Sequence, residues 1–141
     1  MPQLIVMTGL PGTGKSSLAE ALGRAIGVPV FAKDWLEAAL LRSVPPNTLT
    51  PPLLGAAGYE LLTTLAERQL QHGQSAILDS VASIAAVRAR WRELARAHDA
   101  GWRVLACVCS DPELHRARLA ARRRAIPGWP ELTWADVERV A

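Results

Sequence analysis

The chain has 141 residues, half of them hydrophobic, which suits one domain over residues 1–141 with a substantial core and excludes a disordered tail. The sequence contains no run of eighteen apolar residues and no basic segment ahead of an apolar one at the N-terminus. We therefore expect a cytoplasmic protein without a membrane span. The net charge of +3 suits anionic ligands such as nucleotides, but it is too small by itself to indicate duplex binding.

Short apolar runs alternate with amphipathic segments along the chain. In chain order they predict a strand at 3–7, a helix at 15–26, a strand at 28–32, helices at 34–43 and 53–73 around a proline-rich loop at 44–52, a strand at 75–79, a helix at 83–100, a strand at 102–109, and helices at 111–124 and 133–141. This alternation indicates βαβ units in a three-layer α/β fold with a parallel sheet. Ligands of such folds bind beyond the carboxyl ends of the strands.

Two cysteines fall in the last predicted strand. Cys107 and Cys109 are two residues apart, so they would share one face of the strand and are poorly placed to bond each other. We expect buried free thiols. None of the three histidines stands at a metal-binding spacing from them.

A phosphate-binding loop follows the first predicted strand. Residues 9–16, GLPGTGKS, match G-x-x-x-x-G-K-[ST] at every fixed position, with an apolar strand before them and an amphipathic helix after them. Glycines let backbone N–H groups point inward, and the helix N-terminus favours phosphate. The alternative, a glycine-rich turn with an incidental lysine, leaves this context unexplained. We therefore predict that ATP is held by Gly9, Leu10, Pro11, Gly12, Thr13, Gly14, Lys15, Ser16 and Ser17.

Within this loop, Lys15 would reach the β- and γ-phosphates, where it would act in catalysis, and Ser16 would ligate Mg²⁺. Asp79 ends the third predicted strand on the same edge of the sheet and could hold Mg²⁺ directly or through water. The alternative for Asp79 is a helix cap, although Ser80 and Ser83 are better placed for that role.

Asp34 ends the second predicted strand on the same edge. Its carboxylate could take the proton from an attacking hydroxyl, which makes it the candidate catalytic base. The alternative is that Asp34 caps the helix that follows. Lys33 beside it is one of only two lysines in the chain, and Tyr59 and loop 44–52 lie where an acceptor pocket could form.

Five arginines fall within nine residues near the C-terminus: Arg116, Arg118, Arg122, Arg123 and Arg124. Arg118 and Arg122 are four residues apart and would share one helix face. Their guanidinium groups could clamp the oxygens of a transferring phosphoryl group, which would make residues 111–130 a lid. The alternative is a solvated basic helix. Trp129 and two other tryptophans flank this region and are more typical of packing than of base stacking.

Four stretches in this order, GLPGTGKSS, FAKDWL, AILDS and RARLAARRR, resemble the P-loop kinase group with an AAA-type ATP-binding domain. That group includes polynucleotide 5′-kinases, zeta-toxin-like kinases and chloramphenicol phosphotransferase. The resemblance implies an adenylate-kinase-like sheet of order 2-3-1-4-5, a catalytic or acceptor-binding carboxylate at Asp34, and lid arginines at Arg118 and Arg122. The family continues into a fifth strand and a final helix near the adenine, so we expect a C-terminally incomplete domain.

Three functions are compatible with these motifs. The first is a kinase that transfers the γ-phosphoryl group of ATP to a hydroxyl of a small molecule. The second is a polynucleotide 5′-hydroxyl kinase, which the modest charge and the lack of an aromatic and basic stripe make less favourable. The third is a nucleotide-binding ATPase or switch that has no acceptor.

Overall fold

The computed structural model describes residues 1–82, 84–122 and 124–140, and Ser83, Arg123 and Ala141 lie outside this part of the chain. Strands and helices alternate along it as the sequence predicts. The elements are β1 Gln3–Thr8, α1 Lys15–Ile26, β2 Val30–Ala32, α2 Lys33–Ser43, α3 Pro51–Gln71, β3 Ala76–Asp79, α4 Ala85–Ala97, β4 Gly101–Ala106, α5 Pro112–Ala121 and α6 Trp134–Val140.

The described strands form one parallel sheet of order β2-β3-β1-β4. This confirms the predicted α/β class and the first four positions of the adenylate-kinase-like order. In the register of the sheet, Asp79 lies beside Met7 on one side and beside Ala32 on the other. The carboxyl ends of β1, β2 and β3 therefore meet at one edge, where the loop to α1 begins and where β2 continues directly into α2.

Alternate residues of the strands fill two cores, because successive side chains of a strand point to opposite faces of the sheet. On one face, Leu4, Val6 and Leu78 pack against side chains of α3 and α4, which are Leu62, Ala66, Leu70, Trp91 and Ala95. On the other face, the buried cluster comprises Ile5, Met7, Ile77 and Ala19 of α1. Among the described residues, no helix is both long and apolar enough to cross a membrane.

The last strand is shorter than the predicted 102–109. β1 ends at Thr8 because Gly9, at φ 145°, turns into the phosphate loop, so β4 loses its partner after Ala106. One further bond continues the pairing, from the Cys107 N–H to the Thr8 carbonyl at 2.8 Å. Cys107 and Cys109 are both free and half-buried, and they lie beyond the strand. The prediction that they share a buried strand face is therefore wrong.

Helix boundaries also differ from the prediction. α3 begins at Pro51, because Thr50 caps it and proline needs no hydrogen-bond acceptor in the first turn, so the loop ends at residue 50. α5 begins as predicted, with the Asp111 carboxylate accepting from two backbone N–H groups, but it ends at Ala121. α4 begins at Ala85 with Ile84 at its N-cap and no described side chain capping it. Ser80 is therefore not a cap, and Ser83 lies outside the described residues.

Candidate functional site

The phosphate loop lies between β1 and α1. Three glycines in it have positive φ, at 145° for Gly9, 85° for Gly12 and 88° for Gly14. Gly14 is the N-cap of α1, and none of the described side chains caps this helix or places an acid in its first turn. The first N–H groups of α1 therefore stay available to an anion, as phosphate binding requires.

At two of these positions, the neighbouring atoms as well as the backbone conformation favour glycine. A Cβ on Gly9 would overlap the carbonyl oxygen of Cys107. A Cβ on Gly12 would lie 3.1 Å from Cβ of Leu119 and 3.3 Å from Cδ2 of His115. Helix α5 therefore packs directly on the loop.

One hydrogen bond fixes this contact between α5 and the loop. The buried His115 donates from Nε2 to the Pro11 carbonyl at 2.6 Å. Within the loop, the Thr13 hydroxyl donates to the Leu10 carbonyl at 2.7 Å. The loop borders a cleft of about 570 Å³. All the predicted phosphate-loop residues except Gly9 and Thr13 line this cleft.

Lys15, which lines the cleft, forms an ion pair with Asp79. Lys15 Nζ lies 2.7 Å from Asp79 Oδ1, with the Asp79 side chain 2% exposed and that of Lys15 11% exposed. The structure therefore joins two predicted site residues that are 64 positions apart. In this arrangement each charge compensates the other, and a bound phosphate would be an alternative partner for Lys15.

Asp34 lies in the first turn of α2, not at its N-cap. The N-cap is Ala32, and β2 leads directly into the helix without an intervening loop, so the capping alternative for Asp34 is wrong. The Asp34 carboxylate accepts from the backbone N–H of Trp35 at 3.0 Å. It also forms an ion pair with Arg124, whose Nη2 lies 3.0 Å from Asp34 Oδ2.

Arg124 is a lid residue that contacts the site directly. Besides Asp34, its guanidinium contacts Ser16, donating from Nη1 to the hydroxyl oxygen at 2.7 Å. The sequence placed Arg124 in the basic cluster but did not single it out. Its spacing from the phosphate loop carries no local signal, because 108 residues separate it from Ser16.

Arg118 and Arg122 line the cleft beside the phosphate loop, as the lid prediction requires. They do not share a helix face, because α5 ends at Ala121 and Arg122 is its C-cap in an extended conformation. Burial lowers the pKa of Arg122, and the neighbouring Arg124 lowers it further. Arg116 is exposed and does not line the cleft, and Arg123 lies outside the described residues.

A second, smaller cavity of about 150 Å³ adjoins the cleft on the α2 side. Asp34, Lys33, Glu37 and Tyr59 are among its lining residues, whereas the predicted contribution of loop 44–52 is absent from the described lining. Lys33 forms an ion pair with Glu37, and its Nζ lies 4.4 Å from the centre of the Tyr59 ring. Burial raises the pKa of Glu37, and Lys33 opposes that rise. The sequence signal for this pair was the i, i+4 spacing on one helix.

The residues fit a magnesium ion held together with a nucleotide. Among the described residues, no group of three or more His, Cys, Asp or Glu side chains forms a metal cage. Mg²⁺ at phosphate-transfer sites needs only one or two protein oxygens and takes the others from phosphate and water. The Ser16 hydroxyl and the Asp79 carboxylate are such oxygens. Both now bond to cationic side chains, which marks them as positions that favour positive charge.

Comparison with known proteins identifies a family and several structural relatives of the chain. The family model described as AAA domain matches residues 4–140. A search of the curated proteins finds no match. A Chloroflexus aurantiacus protein provisionally described as a kinase is 26% identical with a TM-score of 0.79, covering 99% of this chain and 77% of that one. Chaetomium thermophilum Kti12 with ADP-AlF3 is 22% identical with a TM-score of 0.68, covering 97% and 77%. A gluconokinase from Sinorhizobium meliloti is 23% identical with a TM-score of 0.59, covering 89% and 67%.

The matches at 22% and 23% identity show a shared fold alone. The family match covers nearly the whole chain and includes the phosphate loop. An AAA domain with this loop implies ATP binding. The structural relatives are small P-loop kinases, which confirms the resemblance noted from the four sequence stretches. The chain therefore belongs to the AAA domain family and has the fold of the small P-loop kinases.

Proposed function

We propose that this protein is an ATP-dependent kinase that transfers the γ-phosphoryl group of ATP to a hydroxyl of a small molecule. The observation that carries the proposal is a contact that Asp34 and Ser16 share. One guanidinium, that of Arg124, contacts both side chains. The candidate base Asp34 and the loop residue Ser16 are therefore separated only by the width of the Arg124 guanidinium. This places Asp34 close to where a γ-phosphoryl group would be bound.

In the proposed reaction the phosphate loop binds the nucleotide through its N–H groups, and Lys15 exchanges Asp79 for the β- and γ-phosphates. The acceptor oxygen forms a bond to the γ-phosphorus while the bond between that phosphorus and the bridging oxygen to the β-phosphate breaks. ADP leaves with the electron pair of that broken bond. Asp34 accepts the proton of the acceptor hydroxyl. Arg118, Arg122 and Arg124 stabilise the charge on the phosphoryl oxygens.

Ser16 and Asp79 would hold the magnesium ion, which would supply charge neutralisation for the phosphates. This role is compatible with their present partners. Binding of phosphate to Lys15 leaves the Asp79 carboxylate without its cation, and movement of Arg124 onto the phosphoryl group frees the Ser16 hydroxyl. The same rearrangement releases Asp34 from its ion pair with Arg124.

Family membership and the 26% identity to the Chloroflexus aurantiacus protein support phosphoryl transfer as the reaction. The size of the cavity beside Asp34, about 150 Å³, supports a small acceptor over a polynucleotide strand. The gluconokinase and the other kinases among the structural relatives support the fold and do not identify the acceptor.

The test replaces Asp34 by asparagine, which keeps the size of the side chain and removes its ability to accept a proton. We expect Asp34→Asn to bind ATP as tightly as the wild type and to transfer phosphate about 10²–10⁴ times more slowly. The matched control is Asp99→Asn, an exposed residue at φ 52° that asparagine also tolerates. Transfer at the wild-type rate in Asp34→Asn would rule out the assigned base.

The other two functions are separate outcomes of the same assay. If ATP is hydrolysed at the same rate whether or not an acceptor is present, for all acceptors tested, the protein is an ATPase or switch. Phosphorylation of 5′-hydroxyl oligonucleotides that weakens steeply with salt would indicate a polynucleotide kinase.

A further inference from the structure

We propose that the cavity beside Asp34 is the acceptor site and that it takes a small, uncharged, hydroxyl-rich compound of the polyol or sugar class. This inference rests on the proposed kinase function and adds the substrate class. It assigns specificity to Ser80, Trp129 and the Lys33–Glu37 pair, none of which has a role in the phosphate-binding cleft.

The position of the cavity suits an acceptor. It shares Pro11, Lys15, Arg122 and Arg124 with the phosphate-binding cleft, so the two spaces adjoin at the residues expected to contact the γ-phosphoryl group. Asp34 is in the lining of the cavity itself. A hydroxyl bound there would therefore lie between the candidate base and the phosphoryl group.

The size of the cavity limits the acceptor. Typical small-molecule pockets measure roughly 300–1,000 Å³, whereas this one has about 150 Å³. A compound of a few carbons with its hydroxyl groups would fill it. A nucleoside or a polynucleotide end would require the walls to move apart.

Two residues of the lining each carry a buried polar atom that needs a hydrogen-bond partner. The Ser80 hydroxyl and the Trp129 Nε1 have none among the described residues, although both atoms are shielded from solvent and Ser80 as a whole is 3% exposed. Buried polar atoms are nearly always paired in native structures, and an unpaired one is costly. The indole can only donate and the serine hydroxyl can do both. Together they match a ligand that carries at least one accepting oxygen besides the reacting hydroxyl.

The charges around the cavity favour a neutral ligand. Lys33 is already paired with Glu37 and lies over the Tyr59 ring, so the pair presents both donors and acceptors without net charge. The remaining cations of the lining, Lys15 and the arginines, face the phosphate-binding cleft and would be used by phosphate. An acceptor with a carboxylate would meet Asp34 and Glu37, and an acceptor with an ammonium group would compete with Lys33 for Glu37.

The test compares acceptors of one size that differ in charge. Glycerol, glycerate and 2-aminopropane-1,3-diol form such a set, with xylitol and glucose as larger neutral compounds and 1-propanol as the analogue with a single hydroxyl. Product is measured by mass spectrometry, and ATP binding is measured separately by titration. We expect the best neutral polyol or sugar to exceed the anionic and cationic acceptors and 1-propanol by at least about 100-fold in kcat/KM, because buried polar groups left unpaired discriminate strongly.

Two variants test the assigned specificity residues. Trp129→Phe removes the indole donor and keeps an aromatic ring, and Ser80→Ala removes only the hydroxyl. Each should raise the acceptor KM about tenfold while the KM for ATP stays unchanged. Trp102→Phe, in β4 and outside the lining of both spaces, is the matched control. In the ¹⁵N-labelled protein, the indole N–H signal that Trp129→Phe removes should shift when the preferred polyol is added.

The outcomes separate the two proposals. Phosphorylation of glycerate or of an oligonucleotide, with no turnover of neutral polyols or sugars, would overturn the acceptor class and leave the kinase function standing. An unchanged acceptor KM in both variants would overturn the assigned cavity. ATP binding without phosphorylation of any acceptor, or no ATP binding, would contradict the kinase function itself and the acceptor site with it.

Discussion

Arg124 donates a hydrogen bond of 2.7 Å to the hydroxyl of Ser16, although 108 residues separate them. The same guanidinium forms an ion pair with Asp34 at 3.0 Å. Side chains from the loop after α5, the first turn of α1 and the first turn of α2 are thereby joined in one contact. A bound nucleotide would offer Arg124 a more highly charged partner than Asp34. We therefore expect the contacts of Arg124 to depend on whether nucleotide is bound.

The first prediction concerns this arginine. Arg124→Gln should lower kcat about 10²–10³-fold, because it removes a donor from the charge that develops on the phosphoryl oxygens. The KM for ATP should change much less, since the phosphate loop is intact. Arg116→Gln, an exposed residue on the preceding helix, is the matched control and should behave as wild type. A purely structural role for Arg124 would instead lower stability and leave kcat per folded molecule unchanged.

The second prediction concerns the pair of Lys33 and Glu37. Lys33→Met leaves the Glu37 carboxylate buried without its cation, so at pH 7 the free energy of unfolding should fall by about 3 kcal/mol. Lys33→Met combined with Glu37→Gln should recover much of this loss, because the uncompensated charge is gone. The exposed pair of Arg90 and Glu60 is the control, and Glu60→Gln should change stability little.

The pH dependence of Lys33→Met follows from the pKa of Glu37. Burial raises this pKa above its ordinary 4.5, and removal of Lys33 raises it further. The folded protein then binds the proton more tightly than the unfolded chain, so stability falls as pH rises from 4.5 to the pKa in the folded state. The loss in Lys33→Met should therefore shrink towards acid pH in urea denaturation. A loss that is equal at pH 5 and pH 7 would contradict the assigned burial.

Two glycines of α3 should respond to alanine in opposite directions. Among the described residues, a Cβ on Gly55 would meet only Lys33 Nζ, at 3.9 Å, so Gly55→Ala should stabilise the protein by about 0.5–1 kcal/mol through helix propensity. A Cβ on Gly58 would lie 2.8 Å from Oε1 and 2.9 Å from Cγ of Glu37, so Gly58→Ala should destabilise it by about 1–3 kcal/mol. Thermal unfolding of the two variants checks both signs, and equal shifts would refute the packing of α3 on α2.

A buried hydrogen bond between α3 and α4 gives the fourth prediction. The indole N–H of Trp91 donates to the Thr63 hydroxyl oxygen at 2.8 Å, and both residues are buried. Thr63→Val keeps the shape and leaves this donor unpaired, so the free energy of unfolding should drop by about 1–3 kcal/mol. Thr64→Val, at the exposed neighbour, should cost much less. A similar loss of free energy of unfolding in both variants would show that the Trp91 hydrogen bond does not contribute to stability.

The phosphate loop could be predicted in full because its chemistry is local. Eight consecutive residues supply the glycine conformations, the lysine and the serine, and the adjacent strand and helix supply the context. The order of the four strands came from the resemblance, and the placement of Asp34 and Asp79 on one edge follows from parallel topology. The predicted ends of β4 and α5 are wrong, because the end of an element depends on the packing around it as well as on its own residues. β4 ends at Ala106 because β1 turns away after Thr8. α5 ends at Ala121, so Arg122 does not share a helix face with Arg118.

By itself, therefore, the sequence determined the fold class and the phosphate-binding edge, because hydrophobic periodicity and glycine-rich turns act between near neighbours in the chain. Only the tertiary structure decided which lid arginine reaches Ser16 and Asp34, and that Lys33, Glu37, Ser80 and Trp129 border one cavity. Such contacts depend on how helices and loops pack across many intervening residues, and burial and pairing of charge exist only after that packing has formed.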